Sequence, residues 1–238
     1  MRARTPATLS AMDGRGEAGE EGVMILPAGY SDDARALWDA ATALNRAAAA
    51  VSPSVARLPP LLFFTDPDRT SRPWETVARL PAGSGVVYRA FGAADAIQTG
   101  RRLREATRGA GVKLLVGRDA DLAEILEADG LHLPEREARQ ARSVGRAHPD
   151  WLLTAAWHGG RPITEGLDAL VLSPVFPAGG ASAVKPALGV AEFGRWIQDV
   201  DLPVYALGGI GPDNVASLTG SGACGLAGVE AIQSAFHS

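Results

Sequence analysis

Residues 203–232 read PVYALGGIGPDNVASLTGSGACGLAGVEAI, two short apolar runs that each stop at glycine and give way to helix-forming sequence. Pro203–Leu207 is too short for a helix, and its Val and Tyr suit a strand buried on both faces. Gly208 and Gly209 end it, since a residue without a Cβ turns the chain freely and lets a ligand approach the backbone. A helix is predicted from Pro212 to Thr219, with Pro212 at its first position, Asp213 at the positive end of its dipole, and Gly220 and Gly222 as its stop. The pattern then repeats, with Ala223–Ala227 as a strand, Gly228 as the turn and Val229–Ile232 opening the last helix. Two adjacent helix N-termini would form an anion cradle. The same glycines could equally serve only as tight turns.

Working outward, the same alternation extends back to Leu61. Strand-like runs fall at Leu61–Thr65, Val86–Arg89, Lys113–Val116, Gly130–Leu133, Leu152–Ala155 and Ala169–Ser173, and with the two above they make eight. Helical segments separate most of them. Ala94–Gly109, for example, sets Ile97, Leu103 and Ala106 against outward arginines. Eight buried strands with intervening helices predict a parallel (β/α)8 barrel, a TIM barrel. In such a barrel the chemistry lies at the C-terminal strand ends, with phosphate held by the loops after strands 7 and 8. The stretch quoted first falls there.

Three segments are expected. Residues 1–22 are polar and glycine-rich, and read as a disordered N-terminus; Met24 would serve equally well as a start. Residues 23–60 form a helical extension whose helix begins at the N-cap Ser31 and carries Leu37, Ala41, Leu44, Ala48 and Val51 at helical spacing. It would cover one end of the domain, or meet a partner chain through Trp38. Residues 61–238 form the barrel.

Composition limits the partners. At 238 residues and 46% hydrophobic, the chain can bury a core of its own. Its net charge of -4, from 23 basic and 27 acidic residues, gives no global field for nucleic acid or an anionic membrane. Cys224 is the single cysteine, so no internal disulfide forms, and it reads as a small core residue. No run is long enough to span a membrane and no signal peptide is visible, so a cytoplasmic location is expected. The four histidines are scattered and give no metal-ligand cluster.

The pieces LLFFTD (61–66), VVYR (86–89), DLAEILEADGLHLPE (121–135), AAWH (155–158), LDALVLSPVFP (167–177), PVYALGGIGPDN (203–214) and GACGLAGVEAI (222–232) together resemble the thiamine phosphate synthase family, which includes the TenI-type thiazole tautomerases. The resemblance implies a small phosphorylated partner, a thiazole phosphate, with its phosphate on Gly208, Gly209, Gly228 and Val229. It also exposes losses. Of the family's Gln, Arg and Lys on strand 2, only the arginine survives, as Val87, Arg89 and Phe91. The Asn-Asp pair after strand 3 falls on Gly117-Arg118, which replaces a magnesium carboxylate by a cation. Glu137 takes the position of the second metal carboxylate and is a weak metal candidate; magnesium stays open but is disfavoured by Arg118, and no cofactor is assigned. The strand-5 serine is Ala156, and Val87, Phe91 and Ala156 would make the pocket more apolar. The threonine-rich loop after strand 6 becomes AGGASAV (178–184), with Ser182 and then Lys185, which could close over a diphosphate as a lid. Gly117-Arg118 and HLP (132–134) look more like the tautomerase branch, yet that branch's histidine after strand 6 falls on Pro174, leaving Ser173 as a weak substitute.

Among the remaining candidates, His158 ends strand 5, where barrel chemistry occurs, and an imidazole moves protons near neutrality. A polar loop histidine is the plainer alternative. His132 reads as packed within strand 4. Asp66 could position a substrate amine or the Arg89 guanidinium. Arg139, Arg142 and Arg146 share a helical face, with Glu135 placed to pair with Arg139, and read as a solvated outer helix. Three functions stay open: coupling of a thiazole phosphate to a pyrimidine diphosphate, with Arg89, Arg118 and Lys185 in place of magnesium; tautomerisation with His158 as the proton carrier; and ligand binding without catalysis. A homo-oligomer is compatible with all three.

Overall fold

A computed structural model describes residues 26, 28–179 and 184–237. The expectations for residues 1–22 and for Ser182 lie outside these. Eight strands form a closed parallel barrel in chain order: β1 (Leu61–Phe64), β2 (Gly85–Tyr88), β3 (Lys113–Gly117), β4 (Gly130–Leu133), β5 (Leu152–Trp157), β6 (Ala169–Leu172), β7 (Val204–Leu207) and β8 (Gly225–Gly228). Pairing of Leu61 with Leu226 and of Phe63 with Gly228 closes the ring. Nearly every strand residue is buried, because one face meets the barrel interior and the other the helices, which explains the continuous apolar runs.

The outer layer comprises α1 (Asp32–Ala49), α2 (Pro73–Val77), α3 (Ala96–Ala110), α4 (Ala120–Ile125), α5 (Ala141–Ala147), α6 (Gly189–Ile197) and α7 (Glu230–Phe236). Ser31 caps α1 by accepting from the Ala34 amide at 3.1 Å, and its hydroxyl also donates to the Ala235 carbonyl at 3.0 Å. Leu37, Trp38, Ala41 and Leu44 are buried against the barrel wall, so Trp38 is a core residue and presents no surface to a partner; Val51 is fully outside. Asn45 ties α1 to the wall by donating to the Cys224 carbonyl at 3.0 Å. In α3, Leu103 is buried as expected, but Ile97 is exposed.

A 3-10 turn, Pro53–Arg57, plugs the N-terminal end of the barrel. Val55 and Leu58 pack there with the interior residues Leu62, Leu115, Leu152 and Tyr205, and the Tyr205 hydroxyl donates to the Pro59 carbonyl at 2.7 Å. With that end filled, the open end is the one where the strands finish.

Two boundaries in the stretch 203–232 differ from the sequence reading. No α-helix follows Gly209: residues 212–214 form turns, and Val215–Leu218 makes a single 3-10 turn. Asn214 is the cause. Its side chain accepts from the Gly211 amide at 2.9 Å and donates to the Gly209 carbonyl at 2.8 Å, offering the backbone a local alternative to a helix. Gly228, read as a turn, is the last residue of β8, and Val229 sits at the N-cap of α7.

Candidate active site

Because all eight strands run the same way, Asp66, Arg89, Arg118, Glu135, Glu137, His158, Ser173, Gly208 and Val229, which follow their C-terminal ends, gather around one rim. Arg89 is largely buried, its side chain 23% exposed. Its Nε donates to the Thr65 carbonyl at 2.6 Å, its amide to the Thr65 hydroxyl at 3.0 Å, and its Nη2 to Asp66 Oδ2 at 3.3 Å. The guanidinium carbon lies 5.6 Å from the Phe64 ring centre and 5.3 Å from that of Phe91, a cation held between two π-faces. Phe91 is exposed, with φ +49°, and its ring shields one side of Arg89. Val87 is buried in the barrel interior. Asp66 is the structural partner of Arg89 and of Arg69, which it meets at 2.8 Å. Burial pushes its carboxyl up, but the hydrogen bond and charge of Arg69, the Asp68 amide and Arg89 together hold it below the ordinary range. A cavity of about 310 Å³ opens beside this pair, lined by Thr65, Asp66, Trp74, Tyr88 and Arg89 among others.

His132 points into the barrel below Arg89. Its Nδ1 lies 2.9 Å from the Thr154 hydroxyl, and its ring meets Phe64 edge-on at 4.9 Å. Burial, reinforced by the charges of Arg89 and His158, pushes its pKa down to about 3. It is a neutral, packed histidine, as the sequence suggested.

The ends of β3 and β4 meet at Glu137. Arg118, with φ +69°, places its Nε 3.0 Å from Glu137 Oε1, and Arg136 Nε lies 3.3 Å from the same oxygen. Magnesium requires carboxylate oxygens free of competing cations. The position that would supply one here already faces two guanidiniums, so these residues do not fit the ion. Among the described residues, no group of three or more His, Cys, Asp or Glu could hold a metal.

Glu135, by contrast, faces across the rim to the end of β5. Its Oε2 lies 2.9 Å from His158 Nδ1, and its Oε1 accepts from the His158 amide at 3.3 Å. The expected Glu135–Arg139 pair gives way to this contact, because Glu135–Gln140 is a 3-10 helix in which i and i+4 do not align. Arg139, Arg142 and Arg146 are exposed, as expected. The turn after His158 is fixed by the Trp157 indole, which donates to the carbonyls of Gly159 at 3.0 Å and Gly160 at 3.1 Å. Sequence reading missed Glu135 as the partner of His158, since its position two residues past the end of β4 gave no sign of which neighbouring strand end it would face.

Ser173 is buried, its amide donates to the Trp157 carbonyl at 3.2 Å, and its hydroxyl has no hydrogen-bond partner among the described residues. Gly208 (φ +104°) and Gly209 (φ +64°) carry the positive φ that favours glycine. A Cβ on Gly208 would stand 2.8 Å from Pro174 Cα, and one on Gly209 2.3 Å from the Pro177 carbonyl oxygen. Close packing of the loop after β6 thus accounts for both glycines. Lys185 is exposed, just after residues 180–183, and enters no ion pair among the described residues. Cys224 is buried, which pushes its thiol up and leaves it inert.

A closed parallel (β/α)8 barrel with polar groups collected at the C-terminal rim defines a class of barrel proteins that hold small molecules at that end. The sequence model of the thiamine monophosphate synthase family matches residues 61–232, and the chain belongs to that family. It is 34% identical over 148 residues to the thiamine-phosphate synthase of Methanoculleus marisnigri, covering 58% of this chain and 67% of that one. It is 27% identical over 144 residues to that of Moorella thermoacetica, covering 59% and 69%. The matches thus span about two thirds of the relatives' own lengths, 66% for a relative from Geobacter sulfurreducens. Thiamine phosphate pyrophosphorylase from Pyrococcus furiosus shares the fold, with a TM-score of 0.62 and 23% identity over 74% of this chain and 91% of that one. No helix among the described residues is long and apolar enough to cross a membrane.

Proposed function

We propose that this protein serves thiamine biosynthesis by binding a thiazole phosphate at the barrel rim and moving a proton on it, without magnesium. The observation that carries this reading is the Arg118–Glu137 ion pair at 3.0 Å, which replaces the carboxylate oxygens that a metal-bound diphosphate would need. What remains at the rim is an anion-binding cation, Arg89, and an imidazole, His158. In this reading the phosphate lies on the backbone of Gly208, Gly209, Gly228 and Val229, and Lys185 closes over it. His158 takes a proton from one carbon of the thiazole and returns it to another. One C–H bond breaks and one forms, with no change of oxidation state. Arg89 offsets the negative charge that builds up between the two transfers. Ser173 contributes a hydroxyl to the pocket wall, and Asp66 orients Arg89. The protein works in the cytoplasm.

Coupling to a pyrimidine diphosphate would require Arg89, Arg118 and Lys185 to balance by themselves the charge that magnesium balances. Solvent-deuterium exchange separates the two readings. Thiazole phosphate incubated with the protein in D2O should acquire deuterium at carbon, followed by proton NMR, and His158→Ala should abolish it. No exchange with the intact protein would end the proton-transfer reading.

A further inference from the structure

Glu135 lies on a different strand end from His158 and touches it twice, once at the ring and once at the main chain. The carboxylate bridges His158 Nδ1 at 2.9 Å and the His158 amide at 3.3 Å. A side chain held by both contacts cannot follow rotation of the ring without losing one of them. The backbone on either side is also fixed. Pro134 precedes Glu135, its carbonyl accepts from the Glu137 amide at 2.8 Å, and the Trp157 indole holds the turn after His158. Trp157 in turn packs 5.8 Å from the Trp196 ring, which stands where a Cβ on Gly159 would be, 3.0 Å away.

A neutral imidazole carries one proton, on either ring nitrogen, and a carboxylate oxygen can only accept. An acceptor 2.9 Å from Nδ1 therefore places the proton on Nδ1 and leaves the Nε2 lone pair free. His132, inside the barrel, is sealed against Thr154 and Phe64, with no such carboxylate among its described contacts. Arg161 lines a small cavity with Glu135 and Trp157.

We propose that Glu135 is a positioning residue that fixes His158 as the Nδ1–H tautomer, so that Nε2 is the proton acceptor at the barrel rim. This rests on the proton-transfer reading for its consequence in turnover, but not for the tautomer itself. The test is long-range proton–nitrogen NMR of the full chain, labelled with nitrogen-15 in histidine and recorded at alkaline pH, with Glu135→Ala and Glu135→Gln alongside. The protein is expected to show His158 protonated on Nδ1, whereas in Glu135→Gln the one amide oxygen is taken by the His158 main-chain N–H and the NH2 group facing Nδ1 favours the Nε2–H tautomer. Glu135→Ala is expected to shift His158 to Nε2–H as well. In the deuterium-exchange assay, Glu135→Ala and Glu135→Gln should both lower kcat, by about 100- to 10,000-fold, with little change in KM. An Nε2–H tautomer in the intact protein, or a tautomer unmoved in Glu135→Ala, overturns the inference. If the intact protein exchanges no deuterium yet shows the Nδ1–H tautomer, the positioning role stands and the proton-transfer reading falls.

Discussion

The Arg118 guanidinium lies 3.0 Å from the Glu137 carboxylate, so the ends of β3 and β4 neutralise each other where a metal would have to bind. The pair is exposed on the arginine side, and its contribution to stability is therefore small, at most about 1 kcal/mol. Its effect is on chemistry. Arg118→Asp should leave the melting temperature nearly unchanged while creating a two-carboxylate site. Calorimetry with magnesium should show no heat of binding for the intact protein and a measurable one for the variant. Magnesium binding to the intact protein would contradict this account of Glu137.

Arg89 is held by hydrogen bonds to Thr65 and Asp66 and lies between Phe64 and Phe91. Arg89→Met keeps most of the packing and removes the charge, which leaves Asp66 with Arg69 alone. A loss of about 1.5–3 kcal/mol in urea unfolding is expected, the range for hydrogen bonds to charged groups. Binding of a phosphorylated ligand should weaken at the same time. Arg89→Lys should not restore either property, because an ammonium cannot reach the Thr65 carbonyl in the fork geometry of a guanidinium. Full recovery by lysine would show that only the charge matters.

The buried imidazole of His132 makes stability fall with acid. Its folded-state pKa of about 3 lies below the ordinary histidine value of 6.5, so the unfolded chain binds the proton first. The stability is complete above pH 6.5 and drains as the pH falls towards about 3, by about 1.4 kcal/mol per pH unit. Asp66, also lowered, loses its contribution only below its own ordinary value of 3.8. In His132→Gln, the slope of unfolding free energy against pH between 6 and 4 should flatten by about that amount. An unchanged slope would place the acid sensitivity elsewhere.

Gly209→Ala should test the packing explanation of the cradle. With φ +64° and a Cβ 2.3 Å from the Pro177 carbonyl, an alanine forces the loops after β6 and β7 apart. We expect a loss of about 1–3 kcal/mol. Gly211, where a Cβ meets nothing within 4 Å, is the control and should tolerate alanine within about 1 kcal/mol. Equal effects at the two positions would mean that the Pro177 contact does not constrain the turn.

The barrel was legible because its strands are buried on both faces and so stand out as apolar runs bounded by glycine, proline and acidic residues. Asp129 and Asp168 are two of those boundaries; their carboxylates accept from the Leu114 and Leu153 amides of neighbouring strands, at 2.7 and 2.8 Å. After Gly209, Pro212 and Asp213 carry helix-start signals, while the Asn214 side chain settles the matter through two contacts that no spacing rule reveals. The rim was half legible. Each strand end could be found, which brought out Arg89, Arg118 and His158, but which side chains face each other depends on the tilt and curvature of a closed barrel. Hence Glu135 was assigned to Arg139 on its own segment and is found against His158 on the next strand.

The most direct measurement is calorimetric titration of the purified protein with thiazole phosphate, and separately with pyrimidine diphosphate, each with and without magnesium. Binding of thiazole phosphate with the same affinity in both conditions, and no magnesium-dependent binding of the diphosphate, is the expected result. Magnesium-dependent binding of the diphosphate would contradict the account, and would mean that Arg118 gives way to the ion.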